Sequence, residues 1–160
     1  MYAFAPDSGM SKPERYRSLA QAAGAITAGE PDGVANMANV AALIWQFLPE
    51  LNWAGFYRAI AGELVLGPFI GKPACIRIAF GQGVCGTAAQ SGQTQLVPDV
   101  HAFRGHIACD AASRSELVVP VLRDGKVIAV IDLDSPAPAR FDAEDAAGIE
   151  LLARTIAPVI

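Results

Sequence analysis

The hydrophobic period changes twice along this chain of 160 residues, and that change limits the folds available to it. Apolar residues recur at helical spacing over residues 11–26 and 34–47. From Asn52 the period becomes two, which is typical of strands that bury one face. A helical pattern returns after Asp142 and continues to about residue 156. Strands gathered between helices at both ends predict an α+β domain with an antiparallel sheet.

The strand-forming middle of the chain divides into six strands and one short helix. Gly81-Gln82-Gly83 opens the short helix, which covers residues 84–90 and ends at Gly92. We expect helices on both faces of the sheet: the terminal helices on one, the short helix and the long loop 99–113 on the other. The predicted strands are 53–58, 63–69, 74–80, 94–98, 116–122 and 127–132, and a hairpin turn at Asp124-Gly125 joins the last two.

Length and composition indicate one globular domain. Apolar residues make up 52% and charged residues 18% of the chain, which is enough apolar material for a single core. Ser11 stands as N-cap before the first helix, so we assign residues 11–160 to the domain and expect residues 1–10 to form a mobile tail. Asp32 and Asp142 are the expected N-caps of the second and last helices.

Charge and hydropathy exclude several classes of function. The net charge of −4 and the pI of about 5.1 argue against nucleic-acid binding. No run of Lys or Arg points to a membrane surface, and no uncharged apolar stretch is long enough to span a bilayer. The first residues lack the pattern of a signal peptide, so we expect a cytoplasmic protein with reduced thiols.

The chain has three cysteines, Cys75, Cys85 and Cys109, and this odd number argues against a disulfide framework. Together with His101 and His106 they could supply zinc ligands, but there is no CxxC pair and no His pair at ligand spacing. We therefore predict no metal site and keep zinc as an alternative.

Three acidic residues are predicted to converge at one end of the sheet. Asp132 and Asp134 are two residues apart on a strand, so both side chains point to the same face. Counting back from the hairpin turn brings Glu116 close to one of them on the partner strand. Three adjacent acids are costly unless a cation lies among them, such as an ammonium group, a metal ion or an arginine. The alternative is that they are solvated acids at strand ends.

Two of the cysteines lie in segments where a reactive thiol is expected. Cys109 belongs to the loop 99–113, and ordered loops of this length are usually functional. Cys85 lies in the first turn of the short helix, where the helix dipole is expected to lower the pKa of its thiol. The alternative for each is a small buried residue that fills the core.

These segments resemble the free methionine-(R)-sulfoxide reductases, a family built on the GAF domain. The resemblance covers nearly the whole chain from about Ser18, and the block that ends near Cys109 is its most specific part. The segments that carry it are 52–57, 64–69, 81–88, 105–113, 115–116, 132–135, 140–141 and 144–145.

The resemblance implies a six-stranded antiparallel GAF fold, usually dimeric, that reduces free methionine-(R)-sulfoxide to methionine. It implies no cofactor, with thioredoxin as the external thiol reductant. It also points to Cys75 as the thiol that closes a disulfide on the oxidised nucleophile, with Cys85 as the alternative partner.

The predicted site follows from the chemistry of this substrate. We expect Cys109 to attack the sulfoxide sulfur and to become a sulfenic acid. Glu116, Asp132 and Asp134 would bind the α-ammonium group, and Asp132 or Asp134 would donate the proton that the departing oxygen needs. The aromatic residues of the first strand, Trp53 and Tyr57, would form an apolar wall for the substrate methyl group.

Two further classes of function remain open on the sequence. A non-catalytic GAF domain would bind a small molecule and act as a sensor. A structural or interaction protein would carry its cysteines without using them.

Overall fold

The computed structural model describes residues 4–6, 9–107 and 110–160 of the chain. The N-terminal segment 1–10 and Cys109 lie partly or wholly outside these ranges, so the expected mobility of that segment stays a prediction. The elements are α1 Lys12–Ile26, α2 Gly33–Phe47, β1 Trp53–Ile60, β2 Glu63–Gly71, β3 Arg77–Ala79, α3 Gly83–Ser91, β4 Gln95–Val97, a 3₁₀ turn Val100–Ala102, β5 Ser115–Arg123, β6 Lys126–Ser135 and α4 Ala143–Ile156.

The six strands form one antiparallel sheet in the order β3-β2-β1-β6-β5-β4. This arrangement confirms the predicted α+β class and the predicted sheet. The long helices begin where the sequence indicates, because the side chain of Asp32 accepts hydrogen bonds at the start of α2 and that of Asp142 does so at the start of α4. Gly92 ends α3 in the left-handed conformation that favours glycine.

The third strand is shorter than predicted. Residues 74–80 read as a strand, but only Arg77–Ala79 pair with β2. One further hydrogen bond joins the Leu66 N–H to the Ile76 carbonyl. After Leu66, β2 continues into Gly67 and Pro68, and Pro68 has no backbone N–H that could extend the pairing. The segment 72–76 before β3, which contains Cys75, is therefore irregular.

The two faces of the sheet bury separate cores, as the period of two predicts. Leu117, Val119, Ile131 and Leu133 face α1, α2 and α4. Val118, Val130 and Tyr57 face the other way and pack against α3. The site described below lies on this second face.

A buried polar contact ties the first helix to the last. The Tyr16 hydroxyl donates to Asp145 Oδ1 at 2.6 Å, and both side chains are buried. Lys12 Nζ lies 2.7 Å from Asp142 Oδ2 and 3.0 Å from Asp145 Oδ2. In the three described ranges, no helix has the length and hydropathy needed to cross a bilayer.

Candidate active site

A cavity of about 30 Å³ lies on the α3 face, where β5 and β6 meet the segment after the 3₁₀ turn. The start of α3 forms one wall. Gly83 has a φ of 62° there, and a Cβ at this position would press on Ile107. The lining residues are Tyr57, Ile78, Gln82, Gly83, Val84, Cys85, His106, Ile107, Asp110, Ser113, Glu116, Asp132 and Asp134.

The hairpin register brings the three predicted acids into this cavity. Glu116 pairs directly with Asp134 across the β5–β6 ladder, and Asp132 is two residues away on the same face. Glu116 and Asp132 are each only 6% exposed. Asp134 is partly exposed. The interpretation as solvated strand-end acids is therefore wrong for Glu116 and Asp132.

Burial and mutual repulsion make these acids hard to ionise together. Burial, followed by the charges of Asp132 and Asp134, raises the pKa of Glu116 well above its usual value. The pKa of Asp134 is also well above its usual value, first through burial and then through the charge of Asp132. Burial raises the pKa of Asp132 to about 6, although hydrogen bonding to Cys85 and Glu116 offsets part of the effect. Near neutral pH, Asp132 is the acid that ionises most readily.

One oxygen of this group has no partner. Asp132 Oδ1 is buried and accepts no hydrogen bond, although such an atom costs about 1 to 3 kcal/mol when it is left unsatisfied. The three acids thus leave an acceptor free at the cavity, next to repelling carboxyl groups. A bound cation would relieve both conditions.

Cys85 lies among the acids, and the expected lowering of its thiol pKa is wrong. Its Sγ lies 3.9 Å from Glu116 Oε1, and the residue is 5% exposed. Burial, then the charges of Asp132 and Glu116, raises the pKa of the thiol well above its usual value. The dipole of a nine-residue helix is worth about 1 kcal/mol or less, which does not offset these effects. Cys85 is therefore a protonated thiol at neutral pH.

The two predicted aromatic residues lie beside the acids. Tyr57 lines the main cavity, and Trp53 lines an adjoining one of about 10 Å³ that shares Tyr57, Asp110, Asp132 and Asp134 with it. Trp53 stacks on Tyr57 with ring centroids 5.9 Å apart, and on Phe69 at 5.1 Å. Its Nε1 donates to the Lys72 carbonyl at 3.1 Å, which fixes the ring.

A polar clamp that the sequence analysis did not identify holds the segment after Cys109. Asn52 Nδ2 donates to Ser113 Oγ at 3.0 Å and to Asp110 Oδ2 at 3.2 Å. Lys72 Nζ lies 3.3 Å from Asp110 Oδ1. Asn52 directly precedes β1 and Lys72 directly follows β2. Neither residue belongs to a periodic hydrophobic pattern, so the sequence gives no sign that the fold brings them next to the loop 99–113.

His106, which the sequence analysis considered only as a zinc ligand, also lines the cavity. Its Nε2 lies 3.9 Å from Glu116 Oε2. Burial lowers its pKa, with a smaller contribution from the charge of His101. His101 itself is exposed and bonds to Asp99, so the two histidines do not share a site.

The other two cysteines differ in what the structure describes. Cys75 is partly buried in the irregular segment before β3 and lines neither cavity, although its neighbour Ala74 lines the smaller one. Cys109 lies outside the described residues, while Ile107 and Asp110 on either side of it line the main cavity. Within the described ranges, one group has donor atoms close enough for a metal ion: Cys85, Glu116 and Asp132, within 4.8 Å of one another.

The fold matches that of a GAF domain. A family model described as "GAF domain" matches residues 35–160. A crystal structure of a protein from Burkholderia vietnamiensis described as a GAF sensor has a TM-score of 0.90 at 58% identity, covering 94% of this chain and 96% of that one. The chain therefore has a GAF domain.

Within that class, a narrower set of relatives is similar over almost the full length. Free methionine-R-sulfoxide reductase from Escherichia coli is 47% identical, covering 94% of this chain and 92% of its own length. The X-ray structure of the reductase of that name from Neisseria meningitidis, in complex with its substrate, has a TM-score of 0.93 at 43% identity, with coverage of 99% and 95%. The chain belongs to the free methionine-R-sulfoxide reductase family of GAF-domain proteins.

The raised pKa of Asp132 predicts a particular dependence of stability on pH. An unfolded Asp ionises near pH 3.9, so the native protein binds the extra proton between about pH 4 and the folded pKa of about 6. Stability from the protonated form is present below pH 4 and is lost as the pH rises through 6. We expect Asp132→Asn to gain about 2 to 3 kcal/mol of unfolding free energy relative to the wild type between pH 4 and 7.

Asp142→Asn is the matched control for this measurement by urea denaturation. The pKa of Asp142 is lowered to about 2, chiefly by Lys12. Its contribution to the unfolding free energy is therefore lost as the pH falls below 4, so its pH dependence has the opposite sign to that of Asp132. An Asp132→Asn difference that stayed constant from pH 4 to 7 would contradict the account of the buried acid.

Proposed function

We propose that this chain reduces free L-methionine-(R)-sulfoxide to L-methionine. The family supports the reaction, and one observation supports the choice of a free amino acid: three acids, of which Glu116 and Asp132 are buried, line a cavity next to the Cys109 segment, and Asp132 Oδ1 there has no partner. A free amino acid brings an α-ammonium group, whereas a methionine residue inside a peptide does not. The ammonium group is the cation that these acids otherwise lack.

The substrate contacts follow from the positions of the side chains. The ammonium group is proposed to bind Glu116, Asp132 and Asp134, with the first hydrogen bond at Asp132 Oδ1. Trp53 and Tyr57 would contact the methyl and methylene groups, because their stacked rings form the apolar side of the adjoining cavity.

Cys109 is proposed as the nucleophile because Asp110, its neighbour in the chain, lines the cavity. The Cys109 thiolate attacks the substrate sulfur and forms a transient S–S bond, and one proton is taken up on the sulfoxide oxygen. The oxygen then passes to the cysteine sulfur as the substrate S–O bond and the transient S–S bond break. The products are methionine and a Cys109 sulfenic acid. Asp132 or Asp134 is proposed as the proton donor. The pKa of Asp134 lies well above its usual value, which supports Asp134, whereas Asp132, with a pKa of about 6, is mostly ionised at neutral pH and can donate only from its protonated fraction.

A second thiol is proposed to close the catalytic cycle. Its sulfur displaces hydroxide from the sulfenic acid, so that a disulfide and water form, and thioredoxin then reduces the disulfide by thiol exchange. Cys75 is the candidate that the family resemblance favours, while Cys85 has its sulfur in the cavity wall. We propose Cys75 as the main partner with Cys85 as the alternative, and a homodimer as the working unit.

A non-catalytic sensor is the competing function, because the Burkholderia vietnamiensis relative is described as a GAF sensor. One assay distinguishes the two functions. The protein is incubated with free methionine-(R)-sulfoxide, its S epimer or the N-acetyl R compound, together with dithiothreitol, and methionine is measured by chromatography. Turnover of the free R epimer alone supports the enzyme, and no methionine from any of the three refutes it.

The cysteine roles predict different products in a single turnover without reductant. Cys109→Ser forms no methionine. Cys75→Ser releases one methionine per chain and leaves a sulfenic acid that dimedone traps, whereas Cys85→Ser releases methionine and forms the disulfide. Mass spectrometry of the trapped chain identifies the sulfur. If Cys85→Ser accumulates the sulfenic acid and Cys75→Ser does not, the two resolving roles are exchanged.

Glu116→Gln tests the ammonium contact. Because a hydrogen bond to a charged group is worth about 1.5 to 3 kcal/mol, the variant should lose roughly 10- to 100-fold in kcat/KM, mainly through KM. The desamino analogue of the substrate has no ammonium group, so wild type and variant should turn it over alike. Glu63→Gln is the control, since Glu63 pairs with Arg77 on the outer strands. Equal losses for both substrates would contradict the contact.

A further inference from the structure

We propose that Cys85, Glu116 and Asp132 form a reversible site for a thiophilic divalent cation such as Zn²⁺. The ion is an inhibitor and not a resident cofactor. It occupies the place that the proposed function gives to the substrate ammonium group, so ion and substrate exclude each other. This last statement depends on the proposed function, whereas binding of the ion does not.

The donor atoms have the spacing that such an ion requires. Cys85 Sγ, one carboxylate oxygen of Glu116 and one of Asp132 lie within 4.8 Å of one another. Cys85 Sγ lies 3.9 Å from Glu116 Oε1. Tetrahedral zinc with bonds of about 2.0 to 2.3 Å places its ligand atoms about 3.5 Å apart. Small side-chain rotations are therefore enough to close the site.

An unsatisfied oxygen points to a missing cation independently of the spacing. Asp132 Oδ1 is buried, has no hydrogen-bond partner, and belongs to a residue that lines the cavity. The described lining residues include no Lys and no Arg, so no side chain there carries a fixed positive charge. A cation would satisfy this oxygen and reduce the repulsion among the acids.

Thiolate and carboxylate donors together select the kind of ion. Mg²⁺ and Ca²⁺ prefer oxygen ligands, and a cysteine sulfur in the set favours Zn²⁺, Co²⁺ or Cd²⁺. Binding releases to solvent the protons that Cys85 and Glu116 hold in the free protein, because the thiolate and the carboxylate are the ligands. His106 Nε2 lies 3.9 Å from Glu116 Oε2 but does not belong to the group of atoms within 4.8 Å of one another, so we propose three protein ligands and leave the fourth position to solvent. The cavity of about 30 Å³ has room for one small ion.

Spectroscopy on a chain without the other two thiols tests the site directly. Co²⁺ is added to the reduced full-length Cys75→Ser/Cys109→Ser protein, which has no nucleophile, so activity is not the readout. We expect one Co²⁺ per chain and a sulfur-to-cobalt charge-transfer band. Adding Cys85→Ser abolishes the band, and adding Glu116→Gln weakens the affinity about tenfold or more. His101→Ala is the control and changes neither. Circular dichroism establishes that each variant is folded.

Competition completes the test. L-methionine added to the cobalt-loaded protein should raise the apparent dissociation constant of Co²⁺ in proportion to its concentration. A charge-transfer band that survives Cys85→Ser, or an affinity unchanged by Glu116→Gln, overturns the ion site. Binding of Co²⁺ through Cys85 without competition leaves the ion site standing and contradicts the ammonium position. Turnover of the sulfoxide without Co²⁺ binding overturns the ion site and leaves the proposed function intact.

Discussion

The clustering of three carboxyl groups, two of them buried, at one end of the β5–β6 hairpin is the constraint on which the rest of the site depends. Two-stranded pairing places Glu116 opposite Asp134, and the alternation of side chains puts Asp132 beside them on the same face. In this environment the ionisation of one carboxyl group makes the ionisation of its neighbours less favourable. The group can respond by holding protons or by binding a cation, and both responses suit the ammonium binding and proton donation proposed for this site.

The scaffold keeps this unfavourable group in place from the opposite face. Leu117, Ile131 and Leu133 alternate with the acids along the same two strands and are fully buried against the terminal helices. The acids cannot turn toward solvent unless these residues leave the core, because a shift of one residue reverses both faces. Burial of apolar side chains on one face of the sheet therefore offsets the cost of placing the acids on the other face. The helix α3, with its buried Cys85, covers the site.

A β-bulge decides whether the acids meet, and its position could not be predicted from the turn alone. The turn residues Asp124 and Gly125 have φ values of 51° and 74°, as the Asp-Gly signal predicts. The register that starts at Arg123 and Lys126, continued without interruption, would pair Glu116 with Leu133. A shift between Val121 and Leu122 instead pairs Glu116 with Asp134. The alternation of apolar residues on both strands requires this shift, so the sequence contains the reason for it.

Other parts of the site depend on contacts between segments that are distant in the chain. Asn52 and Lys72 meet Asp110 only in the folded protein, and no local pattern marks them. The pKa of Cys85 was predicted to fall because its helix position was visible in the sequence, whereas its burial beside Glu116 and Asp132 was not. Periodicity and caps thus predicted the strands and helices well, while the electrostatics required the tertiary structure.

We propose that these acids share their protons until an ammonium group binds. Carbon-13 NMR of the side-chain carboxyl groups of Glu116, Asp132 and Asp134, titrated with and without L-methionine, tests it most directly. The account predicts that all three titrate above their ordinary values in the free protein, with Asp132 near pH 6, and that methionine lowers at least one of these pKa values. Three carboxyl groups that titrate near pH 4 and do not respond to methionine would contradict it.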